Sequence, residues 1–189
     1  MDNFSLRFLK RWREYRTKKF SFVGKFFVVR GINATVITAV SLLSGLTAIY
    51  FLFSSYRWFL VFAILHLFCD GLDGIVARAA NPTKFGNYLD ILTDNLVAIL
   101  TTIKVGWFLQ DYYVYIIAAL YSLAFAVHLL LKLQTDFLGI RTAGLIVLSI
   151  AANPFFPYTN ILLNLGYLAA GVAAAYSLAK EMQFLMRKS

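Results

Sequence analysis

The chain has 189 residues, of which 60% are hydrophobic and only 14% are charged, and its formal net charge is +9. Soluble domains carry about 25% charged residues, so this composition excludes an ordinary water-soluble globular protein. A membrane-spanning helix needs roughly 20 mostly apolar residues, and the sequence therefore predicts an all-α, polytopic membrane protein. In a soluble protein the positive charge could indicate nucleic-acid binding, but here we assign it to membrane topology and an anionic substrate, with no nucleic-acid partner.

Residues 1–30 carry nine cations that alternate with aromatic and aliphatic side chains. This alternation is typical of a basic amphipathic helix that lies in the headgroup region of a membrane. A solvated, disordered basic tail is the alternative, and the aromatic content disfavours it. We therefore expect a juxtamembrane helix in contact with membrane lipids at 1–30, followed by a transmembrane catalytic domain at 31–189.

Six membrane spans fit the second of these regions, separated by breaks at Pro, Gly and charged residues. They are predicted at Gly31–Ser54, Trp58–Ala80, Phe85–Leu109, Tyr112–Leu131, Gly139–Ala152 and Asn160–Leu185. With a cytoplasmic N-terminus, sixteen cations fall on the cytoplasmic side and only Arg57 and Lys104 on the other. The excess of positive charge therefore predicts that both termini, and the loop between the second and third spans, are cytoplasmic.

Four of the nine acidic residues lie within the second and third spans: Asp70, Asp73, Asp90 and Asp94. A carboxylate in a membrane helix costs about 2.5–3.5 kcal/mol on insertion scales, so this cluster needs compensation. Residues three or four apart share a helix face, and a short connection makes the two spans antiparallel neighbours, so the carboxylates can converge near the cytoplasmic end. The nearest cations are too few to neutralise the four carboxylates. A pair of Mg²⁺ or Mn²⁺ ions would do so, because these ions bind oxygen ligands and need no His or Cys. Such a pair would indicate phosphate chemistry.

The residues from 70 to 94 also form a recognisable pattern, DGLDGIVARAANPTKFGNYLDILTD. This stretch resembles the signature of the CDP-alcohol phosphatidyltransferase family, D-x2-D-G-x2-A-R-x8-G-x3-D-x3-D. All eight fixed residue types are present, with seven rather than eight residues between Arg78 and Gly86. The difference shortens the predicted loop and leaves the spacings within each helix intact.

The resemblance implies transfer of a phosphatidyl or similar phospholipid group from a CDP-linked lipid to a small alcohol, with release of CMP. By the same resemblance the four aspartates would be metal ligands, and Asp94 would also act as the catalytic base. The residues that would bind the CDP group are Asn33, Asp70, Gly74, Ala77, Arg78 and Gly86. For Asn33, capping of the first membrane helix is an equally good explanation. Members of the family often form homodimers, and we expect one here.

Cations between the fourth and fifth spans indicate where an acceptor could bind. Lys132 and Arg141 lie where family members that use a phosphorylated acceptor place cations, although anchoring on the cytoplasmic side explains them equally well. Family members that use glycerol phosphate often carry an Arg in the first span, and residues 33–54 contain none, so the resemblance disfavours glycerol phosphate. Inositol phosphate, serine and other small alcohols therefore remain as candidate acceptors.

Two other classes of membrane protein also place acids in their spans. A membrane prenyltransferase binds a diphosphate through Asp motifs and Mg²⁺, but such proteins are larger, with two separated motifs. A divalent-cation transporter favours acids near the bilayer midplane and repeated halves. The single acidic cluster in this short chain favours the transferase over both.

Four polar residues outside the motif complete the predictions. His66 lies one turn before Asp70 and could orient a carboxylate, or simply make an internal hydrogen bond. His128 is expected to have no acidic neighbour in register. Asp111 and Glu181 are expected to be solvated near the membrane interfaces.

Overall fold

The computed structural model describes residues 22–80, 83–131 and 159–186, and nearly all of these residues are helical. The helices are α1 (Ala34–Phe51), α2 (Tyr56–Ala79), α3 (Lys84–Leu109), α4 (Tyr112–Leu130) and α5 (Thr159–Met186). No strand occurs in the described ranges, which confirms the all-α prediction. All five helices contain stretches long and apolar enough to cross a membrane. The chain is therefore an integral, multi-pass membrane protein.

Five of the predicted spans correspond to these helices to within a few residues at each end. The predicted count of six exceeds the number of described helices by one, and the additional span, Gly139–Ala152, lies outside the described residues. Most of the predicted juxtamembrane helix also lies outside them, although residues 22–29 are helical.

A glycine-capped turn separates the helical residues 22–29 from α1. Gly31 has a φ of 73°, a left-handed conformation that glycine adopts without steric cost. Its N–H donates to the Val28 carbonyl at 2.9 Å, and the Ile32 N–H donates to the Phe27 carbonyl at 3.0 Å. These two bonds form the Schellman pattern of a helix C-terminus. The first membrane helix consequently begins at Ala34, three residues later than predicted.

By their internal contacts the residues divide into two compact units, which are described separately. The first unit comprises the described residues within Met1–Gly45 and Phe62–Thr93, and the second comprises those within Leu46–Val61 and Asp94–Ser189. Helices α1, α2 and α3 each contribute residues to both units, whereas α4 and α5 belong to the second.

In the first unit, α1 and the helical residues 22–29 pack against the second half of α2. Four buried residues form the core of this contact: Ile37, Cys69, Leu72 and Val76. Gly24 allows a close approach to α2, because a Cβ added there would lie 2.9 Å from the Ile75 main-chain oxygen. Two hydrogen bonds between side chains also join α1 to α2, from Thr38 to Asp73 and between Ser41 and His66.

In the second unit, α4 packs against both α3 and α5. A Cβ added at Gly106 of α3 would lie 3.2 Å from the Val114 Cβ, and one added at Gly171 of α5 would lie 3.0 Å from a side-chain carbon of Ile117. Glycine at these two positions therefore permits close helix packing, as small residues do in membrane bundles.

Candidate active site

The motif acids are carried by the second half of α2 and the first half of α3. One carboxylate oxygen from each of Asp70, Asp90 and Asp94 lies within 4.8 Å of the other two. Asp94 follows Asp90 by one turn of α3, so the i,i+4 spacing presents both side chains on one helix face. Carboxylate oxygens are the ligands that Mg²⁺ and Mn²⁺ prefer. These three residues therefore fit a divalent metal.

Asp73, the fourth predicted ligand, is held in a different way. Its side chain is buried, and its Oδ2 accepts a hydrogen bond of 2.8 Å from the Thr38 hydroxyl. Its Oδ1 is shielded from solvent and has no hydrogen-bond partner among the described residues. A buried carboxylate oxygen without a donor is costly, and a bound cation would compensate it. The structure thus gathers three of the four predicted ligands closely and leaves one oxygen of Asp73 available to a cation.

A cavity of about 280 Å³ lies beside Asp73 and Asp90. Its walls come from the first turns of α1, the end of α2 and the start of α3. Five of the six residues predicted to bind the CDP group line it: Asn33, Gly74, Ala77, Arg78 and Gly86. The sixth, Asp70, is absent from this lining and belongs to the carboxylate group instead.

The cavity combines groups that attract cations with groups that attract anions. Two carboxylates supply negative charge, while Arg78 and the N-termini of α1 and α3 supply positive charge. Helix N-termini favour anions because their first N–H groups have no partner within the helix. A ligand that contains both a metal ion and a phosphate would satisfy both sets of groups.

The side chain of Arg78 lies beside Gly74 in this cavity. A Cβ added at Gly74 would lie 3.4 Å from a guanidinium nitrogen of Arg78, which is ordinary van der Waals contact. The arginine side chain therefore lies along the face of α2 that carries Gly74. At the start of α3, Thr83 Oγ1 accepts the Gly86 N–H at 3.0 Å, a capping bond typical of helix N-termini.

The two explanations offered for Asn33 are compatible with its position. The residue directly precedes α1, its main-chain oxygen accepts the Val36 N–H at 3.0 Å, and it also lines the cavity. The predicted acceptor cations, Lys132 and Arg141, lie outside the described residues.

Sequence reasoning did not assign roles to two other polar residues of the cavity, Thr83 and Asn87. For Thr83 a signal existed, because a threonine just before a membrane helix is a good N-cap candidate. The bond from Thr38 to Asp73 had no local signal, since the two residues lie 35 positions apart in the chain.

The histidines and the acids outside the motif also have defined partners. His66 Nδ1 lies 2.9 Å from both the hydroxyl and the main-chain oxygen of Ser41, so this residue makes the internal hydrogen bond. The expectations for His128 and Glu181 were wrong. They form a buried pair with 3.2 Å between Nδ1 and Oε1, because the packing of α4 against α5 makes these distant positions neighbours.

Asp111 is only partly solvated. One of its oxygens accepts the Tyr113 N–H at 3.0 Å, which caps α4, and the other accepts the Tyr167 hydroxyl at 2.8 Å. The carboxylate therefore has donors from the protein, and the expectation of simple solvation was incomplete.

Comparison with known proteins relates this arrangement to a family. A search of the curated proteins finds no match to this chain. A family model described as CDP-alcohol phosphatidyltransferase matches residues 32–177 of the 189. The matched region contains all four motif aspartates and every residue that lines the cavity. The extent of this match shows that the chain belongs to the CDP-alcohol phosphatidyltransferase family, as its signature residues predict.

Proposed function

We propose that this protein transfers a phosphatidyl group from a CDP-linked lipid, such as CDP-diacylglycerol, to a small alcohol and releases CMP. The family supplies the reaction class, transfer from a CDP-alcohol. The observation that carries the proposal is the cavity, where the motif residues Asp73, Gly74, Arg78 and Asp90 meet the N-termini of α1 and α3. This combination suits a diphosphate that is bound together with a metal ion.

A lipid donor is supported by the position and size of the cavity. It is formed at the ends of helices that are long and apolar enough to cross a membrane. Its volume of about 280 Å³ is just below the usual range for a small-molecule pocket and suits the polar part of a nucleotide lipid. The acyl chains of the donor would then remain in the bilayer.

The chemistry of the proposed reaction requires three tasks. The acceptor hydroxyl must lose its proton as its oxygen forms a bond to phosphorus, and Asp94 is the proposed base that takes this proton. The bond between that phosphorus and the CMP oxygen breaks, and the electron pair leaves with CMP. Arg78 and the helix N-termini are placed to bind phosphate oxygens and stabilise the charge that develops on them.

Mg²⁺ or Mn²⁺, which we propose bind as a pair, would be held by Asp70, Asp90, Asp94 and Asp73 Oδ1. When bound, they would neutralise the negative charge of the diphosphate. The protein contributes the fixed positions of these oxygens. In particular, the hydrogen bond from Thr38 occupies Asp73 Oδ2 and leaves Oδ1 as the oxygen that would bind an ion.

We also propose that the site faces the cytoplasm, where the positive-inside rule places both termini. The acceptor is a small alcohol, with inositol phosphate, serine and glycerol phosphate as the candidates to compare. Lys132 and Arg141 are the proposed contacts for a phosphorylated acceptor. A homodimer is proposed on the resemblance to the family.

The direct test is release of CMP by the purified protein in liposomes that contain CDP-diacylglycerol, Mg²⁺ or Mn²⁺ and one acceptor at a time. We expect release with at least one acceptor, and a loss of at least about 10²-fold in Asp94→Asn, because a general base contributes 10²–10⁴-fold. Asp111→Asn is the matched control, since Asn also caps helices well, and it should retain activity.

Two results would overturn the proposal: no release of CMP from the wild-type protein with any acceptor, or full activity in Asp94→Asn. Divalent-ion flux into the same liposomes, measured without CDP-lipid, distinguishes a transporter. Such flux in the absence of CMP release would favour the transporter alternative.

A further inference from the structure

A buried polar contact lies directly beside the proposed catalytic base. Asn95 follows Asp94 in α3 and is completely buried, whereas Asp94 is partly exposed. The Asn95 Oδ1 accepts a hydrogen bond of 2.9 Å from the hydroxyl of Tyr121 in α4. Tyr121 is also buried, with 4% of its surface exposed. The bond thus joins α3 to α4 at the level of the base.

The ring of Tyr121 is held by three helices of the second unit. It belongs to a buried cluster with Ala98 of α3 and Ala174 of α5. The small alanine side chains leave room for the aromatic ring between the helices. Because Ala98 lies one turn beyond Asp94, the cluster directs the tyrosine hydroxyl toward the level of Asp94 and Asn95.

We propose that Tyr121 is a positioning residue, which acts through Asn95 to set the direction in which Asp94 presents its carboxylate. Consecutive residues of an α-helix point about 100° apart around its axis. A bond that fixes the direction of Asn95 therefore fixes that of Asp94 as well. This inference rests on the proposed function, in which Asp94 is the base.

The polar character of the contact supports this role. Two apolar side chains would fill the junction without the cost of burying an amide and a hydroxyl. Packing alone, however, tolerates small rotations of a helix, whereas a hydrogen bond requires a defined distance and direction. Misplacement of a reacting group by about 1 Å can cost up to 10²-fold in rate. A hydrogen bond that limits the rotation of α3 therefore affects the rate of catalysis.

The test begins with Tyr121→Phe, which keeps the ring in its cluster and removes only the hydroxyl. We expect kcat for CMP release to fall about tenfold, within the range for a misplaced group, while KM for the CDP-lipid stays within about twofold. Tyr113→Phe is the matched control, because Tyr113 lies on the same helix and is 71% exposed. It should match the wild-type kcat.

Two further variants separate positioning from loss of structure. Asn95→Leu should lower kcat by a similar factor, and the double variant should fall no further than either single variant, because both act through one bond. All rates are normalised to the folded fraction, measured by thermal unfolding in detergent. If Tyr121→Phe does not fold, Asn95→Leu provides the same comparison against the wild type.

The role of Tyr121 would be overturned by an unchanged kcat in Tyr121→Phe, by a loss explained by the unfolded fraction, or by additive losses in the double variant. In each case CMP release from the wild type would leave the proposed function intact. Absence of CMP release from the wild type would instead overturn the proposed function, and the role of Tyr121 with it.

Discussion

In the first unit, Asp70, Asp73 and Asp90 lie close enough to interact electrostatically with one another, and two of them line a cavity. In the second unit, Glu181 lies 3.2 Å from His128, and Asp111 accepts hydrogen bonds from the Tyr113 N–H and the Tyr167 hydroxyl. Asp73 of the first unit and Glu181 of the second are both buried, each has a polar partner, and one oxygen of each lacks a hydrogen bond among the described residues. The difference is that Asp73 lies near two other carboxylates, whereas Glu181 lies beside His128.

This difference separates two uses of a buried acid. A carboxylate that lies beside a polar partner, as Glu181 lies beside His128, can join two helices. The three aspartates of the first unit act unfavourably on one another, and Arg78 acts favourably on Asp90. Such a group favours binding of additional positive charge from solution, as a metal site requires.

The largest effect should follow removal of divalent ions. Chelation with EDTA should lower CMP release by at least about 10³-fold, because a metal contributes several kcal/mol to stabilisation of the reacting charges. Addition of Mg²⁺ or Mn²⁺ should restore it. The same ions should raise the thermal unfolding temperature of the wild type, since an ion that binds only the folded state stabilises it.

That rise should be reduced in Asp90→Asn and retained in Asp111→Asn, a comparison that does not depend on activity. Full CMP release in EDTA would show that the grouped aspartates serve another purpose. An equal response of both variants to metal would remove the distinction between the two units.

The second-largest effect is expected on thermal stability, when the pair of His128 and Glu181 in the second unit is broken. Loss of one member of the buried pair of His128 and Glu181 removes a polar partner of the other. The cost is about 3–5 kcal/mol for a buried pair that is charged. We expect His128→Leu and Glu181→Leu each to unfold at a clearly lower temperature in detergent. The double variant should lose less than the sum of the two, because both buried polar groups are removed together.

Tyr176→Phe, a change at an exposed position of α5, is the control for that series. Losses that simply add would show that the two side chains do not act as a pair. Since neither residue lies in the first unit, the response of the single variants to Mg²⁺ should remain that of the wild type.

The smallest effect is predicted for the hydrogen bond between Thr38 and Asp73. Thr38→Val preserves the shape of the side chain and removes the donor, a change of about 1 kcal/mol. The Mg²⁺ concentration for half-maximal CMP release should rise about fivefold, which corresponds to that free energy. Binding of Mn²⁺ to the protein without substrate, followed by electron paramagnetic resonance, should weaken by a similar factor.

Thr38→Ser keeps the hydroxyl and should stay near the wild type. Thr101→Val is a matched control, since the Thr101 hydroxyl bonds to the Val97 carbonyl of its own helix. An unchanged metal requirement in Thr38→Val would show that Asp73 does not depend on this bond for its orientation.

Much of the fold was predictable because its signals are local. Hydropathy identifies a membrane helix from about 20 consecutive residues, and five predicted spans agree with helices in the described ranges. The grouping of Asp70, Asp90 and Asp94 was also predictable. Their i,i+4 spacing and the short connection between α2 and α3 are properties of adjacent residues.

The pairs that join separate helices were not predictable in this way. His128 and Glu181 lie 53 positions apart, and Tyr121 and Asn95 lie 26 apart. Periodicity shows which residues share one face of a helix, but it does not show which face of another helix packs against it. For this reason Glu181 was expected at a solvated interface and is instead buried.

The sequence by itself determined that four acids enter the apolar spans of a membrane protein, and its spacing identified the family. Only the tertiary structure decided which acids lie close to other acids and which lie beside a polar partner such as His128. The physical reason is that burial and hydrogen-bond partners depend on distances across the fold. Helix propensity and hydropathy, by contrast, depend on neighbours along the chain.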